Sequence, residues 1–305
     1  MKTILITGAT GAQGGSVAKH MLENKNEFQV KCLTRNPLSD AAKQLANLGA
    51  EIVQGDLSNK ASLVKAMQGC QLVFGTTNFW EHLNGELQQG KNLIDAVAES
   101  GIEHFILSTL PSSEKLSGGT ITVPHFETKA QMEEYCASKK GLHYTFVHPA
   151  FYFENFLSFF PPQANGDGSF SFGFPQGNTP LAGIAIEDLG GIVKAIFKQP
   201  DTYRGKTIGA VTEDMTCNNY AKQMSEVLGA KISYNDIPRD VFASFGFPGA
   251  EDLANMFTLN KLHIPNRQSE KEESHKLFAD LKSFSKWLEE NKAKFESYIT
   301  KEQLS

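Results

Sequence analysis

The chain has no cysteine pair at the C-x-x-C spacing of a redox or zinc motif. Its four cysteines, Cys32, Cys70, Cys136 and Cys217, are scattered over 305 residues. That excludes the usual thiolate metal cages, and no metal is expected. It also reads as the reduced thiols of a cytoplasmic protein. No apolar run approaches the ~18–20 residues of a membrane span. The opening Met-Lys-Thr-Ile-Leu-Ile-Thr-Gly is too short an apolar stretch for a signal peptide. An excess of basic charge is missing as well: 29 Lys and Arg stand against 34 Asp and Glu, a formal net charge of −5. Direct nucleic-acid binding is therefore not expected, because it draws on a basic face. No internal repeat and no long linker interrupts the chain. What remains is ordinary globular composition, 40% hydrophobic and 21% charged, at a length that fits one large or two smaller domains.

The most informative stretch is Thr3–Gly15. A short uncharged β-rich run, Thr3–Thr7, stops at Gly8 and feeds a helix-like segment, with Gly8, Gly11 and Gly14 spaced G-x-x-G-x-x-G. Gly8 permits the turn, Gly11 lets backbone approach a ligand, and Gly14 lets the helix pack on the strand. The free N–H groups of the first helical turn then favour an anion such as a pyrophosphate. Thr10, Ala12 and Gln13 belong to the same loop.

Up to about residue 150, strand-like and helix-like runs alternate. The strands are Thr3–Thr7, Gln29–Thr34, Glu51–Gln54, Leu72–Gly75, His104–Ser108 and Tyr144–His148. Helical patterns over 16–23, 41–48, 61–67, 83–99 and 128–138 separate them. This predicts an α/β fold, a doubly wound parallel sheet of Rossmann type with a second, smaller mixed α/β domain. Ligands of such sheets bind beyond the carboxyl ends of the strands. After the second strand stands Arg35, where a site specific for NAD would place an acid on the ribose 2′-hydroxyl; a guanidinium suits a 2′-phosphate. After the third come Asp56 and Leu57, facing an adenine, or, for Asp56, capping the next helix. After the fourth come Thr77 and Asn78, small polar groups for a ribose and phosphate track, and Trp80, read as a packing residue. Further on, His125 and Lys129 fall one helical turn apart, with Lys129 a candidate for the nicotinamide ribose.

Beyond residue 150 the alternation breaks. Phe153, Phe156, Leu157 and Phe160 fit a helical stripe, which core packing explains. Phe170, Phe172 and Phe174 alternate as a strand. Asp188 is placed to cap a helix over 189–197, and the polar stretch 268–276 reads as mobile. The domain expectation is 1–150 for nucleotide binding, with elements near 178–205 returning to it, and 151–305 for a smaller interleaved domain.

The start Gly8-Ala-Thr-Gly-Ala-Gln-Gly-Gly-Ser-Val-Ala18, Thr34-Arg-Asn-Pro37 and Gly55-Asp56 resemble the NmrA-like family, an atypical branch of the short-chain dehydrogenase/reductases. Thr77-Asn78, His125-Phe126-x-x-Lys129, Tyr152-Phe153-Glu154-Asn155 and Gly246–Phe257 are similar to its NADPH-sensing HSCARG type. The resemblance covers nearly the whole chain. It implies a Rossmann domain that binds NADP(H) through the Gly8–Gln13 loop, Arg35, Thr77, Asn78, Lys129 and Tyr152, Phe153, Glu154 and Asn155. It also implies a homodimer that answers the NADPH/NADP⁺ balance and regulates partner proteins, in the cytoplasm and also the nucleus. The chain departs from that type at Ser39 and Gln88, where the type carries basic residues.

Reductases of the wider family use Tyr-x-x-x-Lys, the tyrosine protonating substrate oxygen. Here His125 holds the tyrosine position. Three readings stay open: a redox-sensing regulator, an NADPH-dependent reductase of a small carbonyl, quinone or aromatic substrate, and a scaffold with a vestigial nucleotide site. In the second, Lys129 or His125 would be the catalytic acid.

Overall fold

The strands form where short apolar runs meet turn residues, and the helices where apolar side chains recur on one face. In the computed structural model, which describes residues 1–24, 26–83 and 85–299, the chain opens with β1 (Lys2–Ile6), α1 (Ala12–Leu22), β2 (Phe28–Thr34), α2 (Asp40–Leu48), β3 (Glu51–Gln54) and α3 (Lys60–Ala66). It continues through β4 (Leu72–Gly75), α4 (Phe79–His82), α5 (Glu86–Glu99), β5 (His104–Ser108), α6 (Ser113–Ser117), α7 (Pro124–Ala137) and β6 (Tyr144–Pro149). The expected 83–99 helix is α5, beginning at Glu86, with the short α4 ahead of it, and Asn84 between them lies outside the described residues.

Next come β7 (Phe151–Tyr152), a 3₁₀ turn (Phe153–Leu157), β8 (Gln163–Ala164), β9 (Phe170–Phe174) and β10 (Leu181–Ile184). Then follow α8 (Leu189–Lys198), α9 (Pro200–Tyr203), β11 (Thr207–Ala210), β12 (Glu213–Met215), α10 (Cys217–Leu228) and β13 (Ile232–Asp236). The chain finishes with α11 (Arg239–Ala243), α12 (Ala250–His263), α13 (Gln268–Leu277) and α14 (Phe284–Phe295).

Two compact units emerge. The first comprises Met1–Ser112, His125–Pro149 and Ile186–Ala210. Its seven-stranded sheet runs β11-β6-β5-β4-β1-β2-β3, and all neighbouring pairs are parallel. This is the doubly wound Rossmann order, and it reverses between β1 and β4. The central strands are apolar because both faces are covered: Ile4, Leu5, Ile6, Val73 and Phe74 are fully buried. Helix α8 packs on α1. The Ser16 hydroxyl donates to the Glu187 carbonyl and accepts from the Gly190 N–H at 2.9 Å. Asp188 was expected to cap α8, but its backbone is helical and its side chain caps nothing there. Ser16, reaching across from α1, takes an orphan N–H of that first turn instead.

The second unit comprises Ser113–Pro124, Ala150–Ala185 and the described residues from Val211 on. It holds two small mixed sheets, β12-β10-β7 and β13-β9-β8. Its core is aromatic: Phe153, Phe156, Phe170, Phe174, Tyr220, Phe257, Phe284 and Trp287 are all at most 1% exposed. Phe174 stacks on Phe257 with centroids 4.2 Å apart, a geometry that adds about 0.5–1.5 kcal/mol to burial. The Phe153–Phe160 stripe packs as expected, but on a 3₁₀ turn rather than an α-helix. The Asn155 carbonyl gathers the N–H groups of Ser158, Phe159 and Phe160 and closes the turn ahead of Pro161. The 268–276 stretch is helical rather than mobile. Ser274 is fully buried and its hydroxyl accepts from the Val211 N–H, while the His275 ring bonds the Thr212 carbonyl.

Among the described residues no helix is long and apolar enough to cross a membrane, and no His, Cys, Asp or Glu cluster could hold a metal ion. All four cysteines are free and buried. Burial alone pushes the Cys32 thiol up to about 12.

Candidate functional site

Because the large sheet is parallel, the segments following β1 to β5 meet at one edge of it. The turn after β1 sits at the reversal point of strand order. Thr7, fully buried, donates its hydroxyl to the Thr76 carbonyl and accepts from the Thr76 N–H at 2.9 Å. This ties the end of β1 to the end of β4. Gly8 then turns with φ +59°, a conformation that favours glycine. A Cβ on Gly14 would lie 2.4 Å from the Gly8 carbonyl oxygen and 2.5 Å from that of Thr7, so only glycine lets α1 start this close to the strand. Gly11 is the N-cap of α1, in extended backbone, and no side chain caps it. Gly8, Thr10, Gly11 and Ala12 are exposed, and the first turn carries no acid. The result is a helix start with no side-chain cap and with Gly11 and Ala12 exposed, a cradle suited to an anion.

Arg35, after β2, donates to the Glu81 carboxylate of α4 at 2.5 Å, and both side chains are about half exposed. That carboxylate, with a further contribution from Asp56, raises the guanidinium above its ordinary value. Asp56 accepts from the Ser58 N–H at 2.8 Å, while Asn59 caps α3 through the Ser62 N–H. The capping alternative for Asp56 is thereby excluded. Leu57 gives its carbonyl to Asn92. Ser39, at a departure from the HSCARG type, is the N-cap of α2 and accepts from the Ala42 N–H. Gln88, at the other, donates to Asn92 on its own helix.

At the other end of this edge, Lys129 is buried. Its ammonium lies 2.7 Å from Glu86 Oε1 and 2.9 Å from the Thr77 carbonyl, and it also donates to the Thr77 hydroxyl. All three ammonium donors are thus engaged. The Thr77 hydroxyl in turn donates to Glu86 at 2.7 Å. Burial lowers the Lys129 ammonium below its ordinary value, and the charge and hydrogen bond of Glu86 oppose that. The second Glu86 oxygen is buried and finds no hydrogen-bond partner among the described residues. Sequence reasoning did not single out Glu86; its only signal was an acid in the run ahead of Gln89-Gly90-Lys91.

One turn further along α7, Glu133 accepts from Thr109 at 2.5 Å and lies 2.6 Å from His148 Nε2. His125, Lys129 and Glu133 therefore form one row at four-residue spacing. The His125 ring lies among Phe79, Trp80 and Phe126, with centroids at 5.9, 5.4 and 4.8 Å. Trp80, expected in packing, is 43% exposed and belongs to this surface ring cluster. Asn78 precedes α4 and donates to Glu81 at 3.4 Å. Gln13 approaches the Thr76 hydroxyl at 3.5 Å.

Of the remaining expected site residues, Tyr152, Phe153, Glu154 and Asn155 belong to the second unit. Phe153 is fully buried against Tyr220, Phe284 and Trp287. Glu154 accepts from the Trp287 indole N–H at 3.1 Å.

The model of the NmrA-like family matches residues 1–288. The chain belongs to the NmrA-like family. An NmrA-like family domain-containing protein of Dictyostelium discoideum is 32% identical over 77% of the chain and 80% of its own length. An NmrA-like family domain-containing oxidoreductase of Aspergillus hancockii is 33% identical over 85% of the chain and 83% of its own. Among solved structures, NmrA, a negative transcriptional regulator crystallised with NADP, superposes with a TM-score of 0.84 at 23% identity, covering 100% of this chain and 99% of that one. In this NmrA-like chain the shared fold puts the glycine turn, Arg35 and Lys129 on one strand-end edge.

Proposed function

We propose that this protein binds NADP(H) through its first unit and acts as a redox-sensing regulator of the HSCARG type, working as a homodimer on protein partners in cytoplasm and nucleus. The observation that supports the nucleotide-binding part of the reading is the Thr7–Gly14 turn, whose glycines open an uncapped helix start at the reversal point of the sheet. The fit is chemical. The N–H groups of that helix start suit a pyrophosphate, and the Arg35 guanidinium suits a 2′-phosphate. Thr77 and Asn78 serve a ribose, and Asp56 and Leu57 an adenine. Lys129 serves the nicotinamide ribose by releasing one of its three bonds. The cofactor, when bound, supplies or takes up a hydride. NmrA, of the same fold, has been crystallised with NADP. In the division of labour we propose, the first unit holds the nucleotide and the second, with Tyr152–Asn155, answers it.

Two features support regulator over reductase. The tyrosine of Tyr-x-x-x-Lys is replaced by His125, and the ammonium of Lys129 is saturated by Thr77 and Glu86. A second reading, NADPH-dependent reduction of a small carbonyl, quinone or aromatic substrate, is favoured by the downward displacement of Lys129, which eases proton donation, and by relatives named as oxidoreductases. The experiment is to mix the protein with NADPH and a panel of quinones, enals and aromatic ketones and follow nicotinamide absorbance. Tight binding without turnover supports the regulator. Turnover abolished in Lys129→Met/Glu86→Gln, which removes both buried charges together, supports the reductase. A sensor must also distinguish the two cofactor forms. Hydrogen exchange across Phe151–Phe160 and sedimentation should then differ between NADP⁺ and NADPH; identical behaviour in both contradicts sensing.

A further inference from the structure

Arg35 already has an anion. The Glu81 carboxylate lies 2.5 Å from it, and that carboxylate is itself held in place by its own short helix: Asn78 donates to it at 3.4 Å and the His82 ring nitrogen lies 3.6 Å away. Arg35 pulls the Glu81 carboxyl below its ordinary value, so the group is ionised at neutral pH. On the two positions before Glu81, Phe79 and Trp80 contact the His125 ring, with centroids 5.9 and 5.4 Å away. A nucleotide carrying a 2′-phosphate must therefore take Arg35 from a carboxylate that is anchored beside it. The second acid in the neighbourhood, Asp56, adds to the negative field on Arg35. A nucleotide without that phosphate asks nothing of Arg35 and does not disturb the pair.

We propose that Glu81 is a specificity-determining residue that competes with the cofactor's 2′-phosphate for Arg35 and so narrows the preference for NADP(H) over NAD(H). The inference rests on the reading of Arg35 as the phosphate contact. Competition of this kind is electrostatic at an exposed site, so it weakens as salt rises.

The test is calorimetric titration of NADPH and NADH into the wild type, Glu81→Gln and Arg35→Ala at low and high salt. Glu81→Gln keeps the size of the side chain and removes only its charge, at an exposed position where folding is insensitive. The expected result is about five- to tenfold tighter NADPH binding at low salt, a smaller gain at high salt, and NADH affinity unchanged. Unchanged or weaker NADPH binding in Glu81→Gln, or an equal gain for both cofactors, overturns the proposal. Arg35→Ala separates the two ideas. If it weakens NADPH selectively while Glu81→Gln changes nothing, the competitor role fails and the phosphate reading stands. If Arg35→Ala weakens both cofactors equally, or neither, the phosphate reading fails and takes the competitor role with it.

Discussion

Arg35 and Lys129 stand at two ends of the same strand-end edge, and each holds a carboxylate, at 2.5 Å and 2.7 Å. The surroundings are opposite. The Arg35–Glu81 side chains are 56% and 44% exposed, whereas those of Lys129 and Glu86 are 10% and 0%. In water an ion pair is a weak constraint, easily exchanged for another anion. Buried, the same pairing is costly to assemble and costlier still to break on one side. The contrast separates a cation that exchanges partners at the surface from one that must release a buried bond before it can meet a ligand.

Deleting the buried partner should have the largest effect. Glu86→Ala leaves the Lys129 ammonium without its counter-charge, and thermal or urea unfolding should show a loss of about 3–5 kcal/mol. Glu86→Leu combined with Lys129→Met should recover most of it, because a matched apolar replacement of a buried pair is often neutral. A loss under about 1 kcal/mol for Glu86→Ala would mean that water reaches Lys129 and that the two ends of the edge are alike.

Acid offers a second contrast between buried and exposed groups. His104, fully buried, lies with Nε2 2.8 Å from the Thr145 hydroxyl, which itself donates to the Tyr203 carbonyl. Nε2 must therefore carry the proton, and the buried Nδ1 has no partner among the described residues. Burial, then the nearby positive charges of Arg204, His143 and Lys2, push this histidine down to about 4. In the unfolded chain it titrates near its ordinary 6.5, so the unfolded state binds the extra proton first. Stability contributed by the neutral ring is present above about pH 6.5 and is lost as pH falls towards 4, by at most about 3 kcal/mol. His104→Phe should flatten that part of the stability–pH curve. An unchanged slope would assign it to other groups.

The smallest expected effect belongs to the exposed pair. Arg35→Ala and Glu81→Gln should each change folding stability by less than about 1 kcal/mol. Protonating Glu81 should matter only below its ordinary carboxylate range, since Arg35 lowers it. A loss of several kcal/mol in either variant would mean that the exposed pair is held as tightly as the buried one and that the two ends of the edge are alike.

The sheet was legible because each strand is a short apolar run closed by a turn, and the glycine triplet marked the strand reversal by its place between strand and helix. Arg35 and Lys129 were legible as residues at strand ends and on a helix face. Their carboxylates were not. Glu81 is 46 positions from Arg35 and Glu86 is 43 from Lys129, and no local pattern pairs acids with bases across such distances. The same holds for Glu133, on α7, which meets Thr109 after β5 and His148 on β6. Helix α13 was misread for a related reason. Its surface is polar, so periodicity gave no signal, and its order comes from Ser274 and His275 binding backbone of Val211 and Thr212. The 153–160 stripe was right about burial and wrong about pitch, since one carbonyl closing three N–H groups leaves no periodic trace.

The most direct test of the account is titration of NADPH and NADH into Gly11→Val. A Cβ there meets only the Gly8 carbonyl oxygen, at 3.3 Å, and the position is exposed with extended backbone, so the variant should fold with a melting temperature close to that of the wild type. The added isopropyl group stands in front of the N–H groups of α1. Both cofactors should bind at least about tenfold more weakly, a loss of roughly 1.4 kcal/mol or more, with no change in their ratio. Wild-type affinity in the folded variant would contradict it.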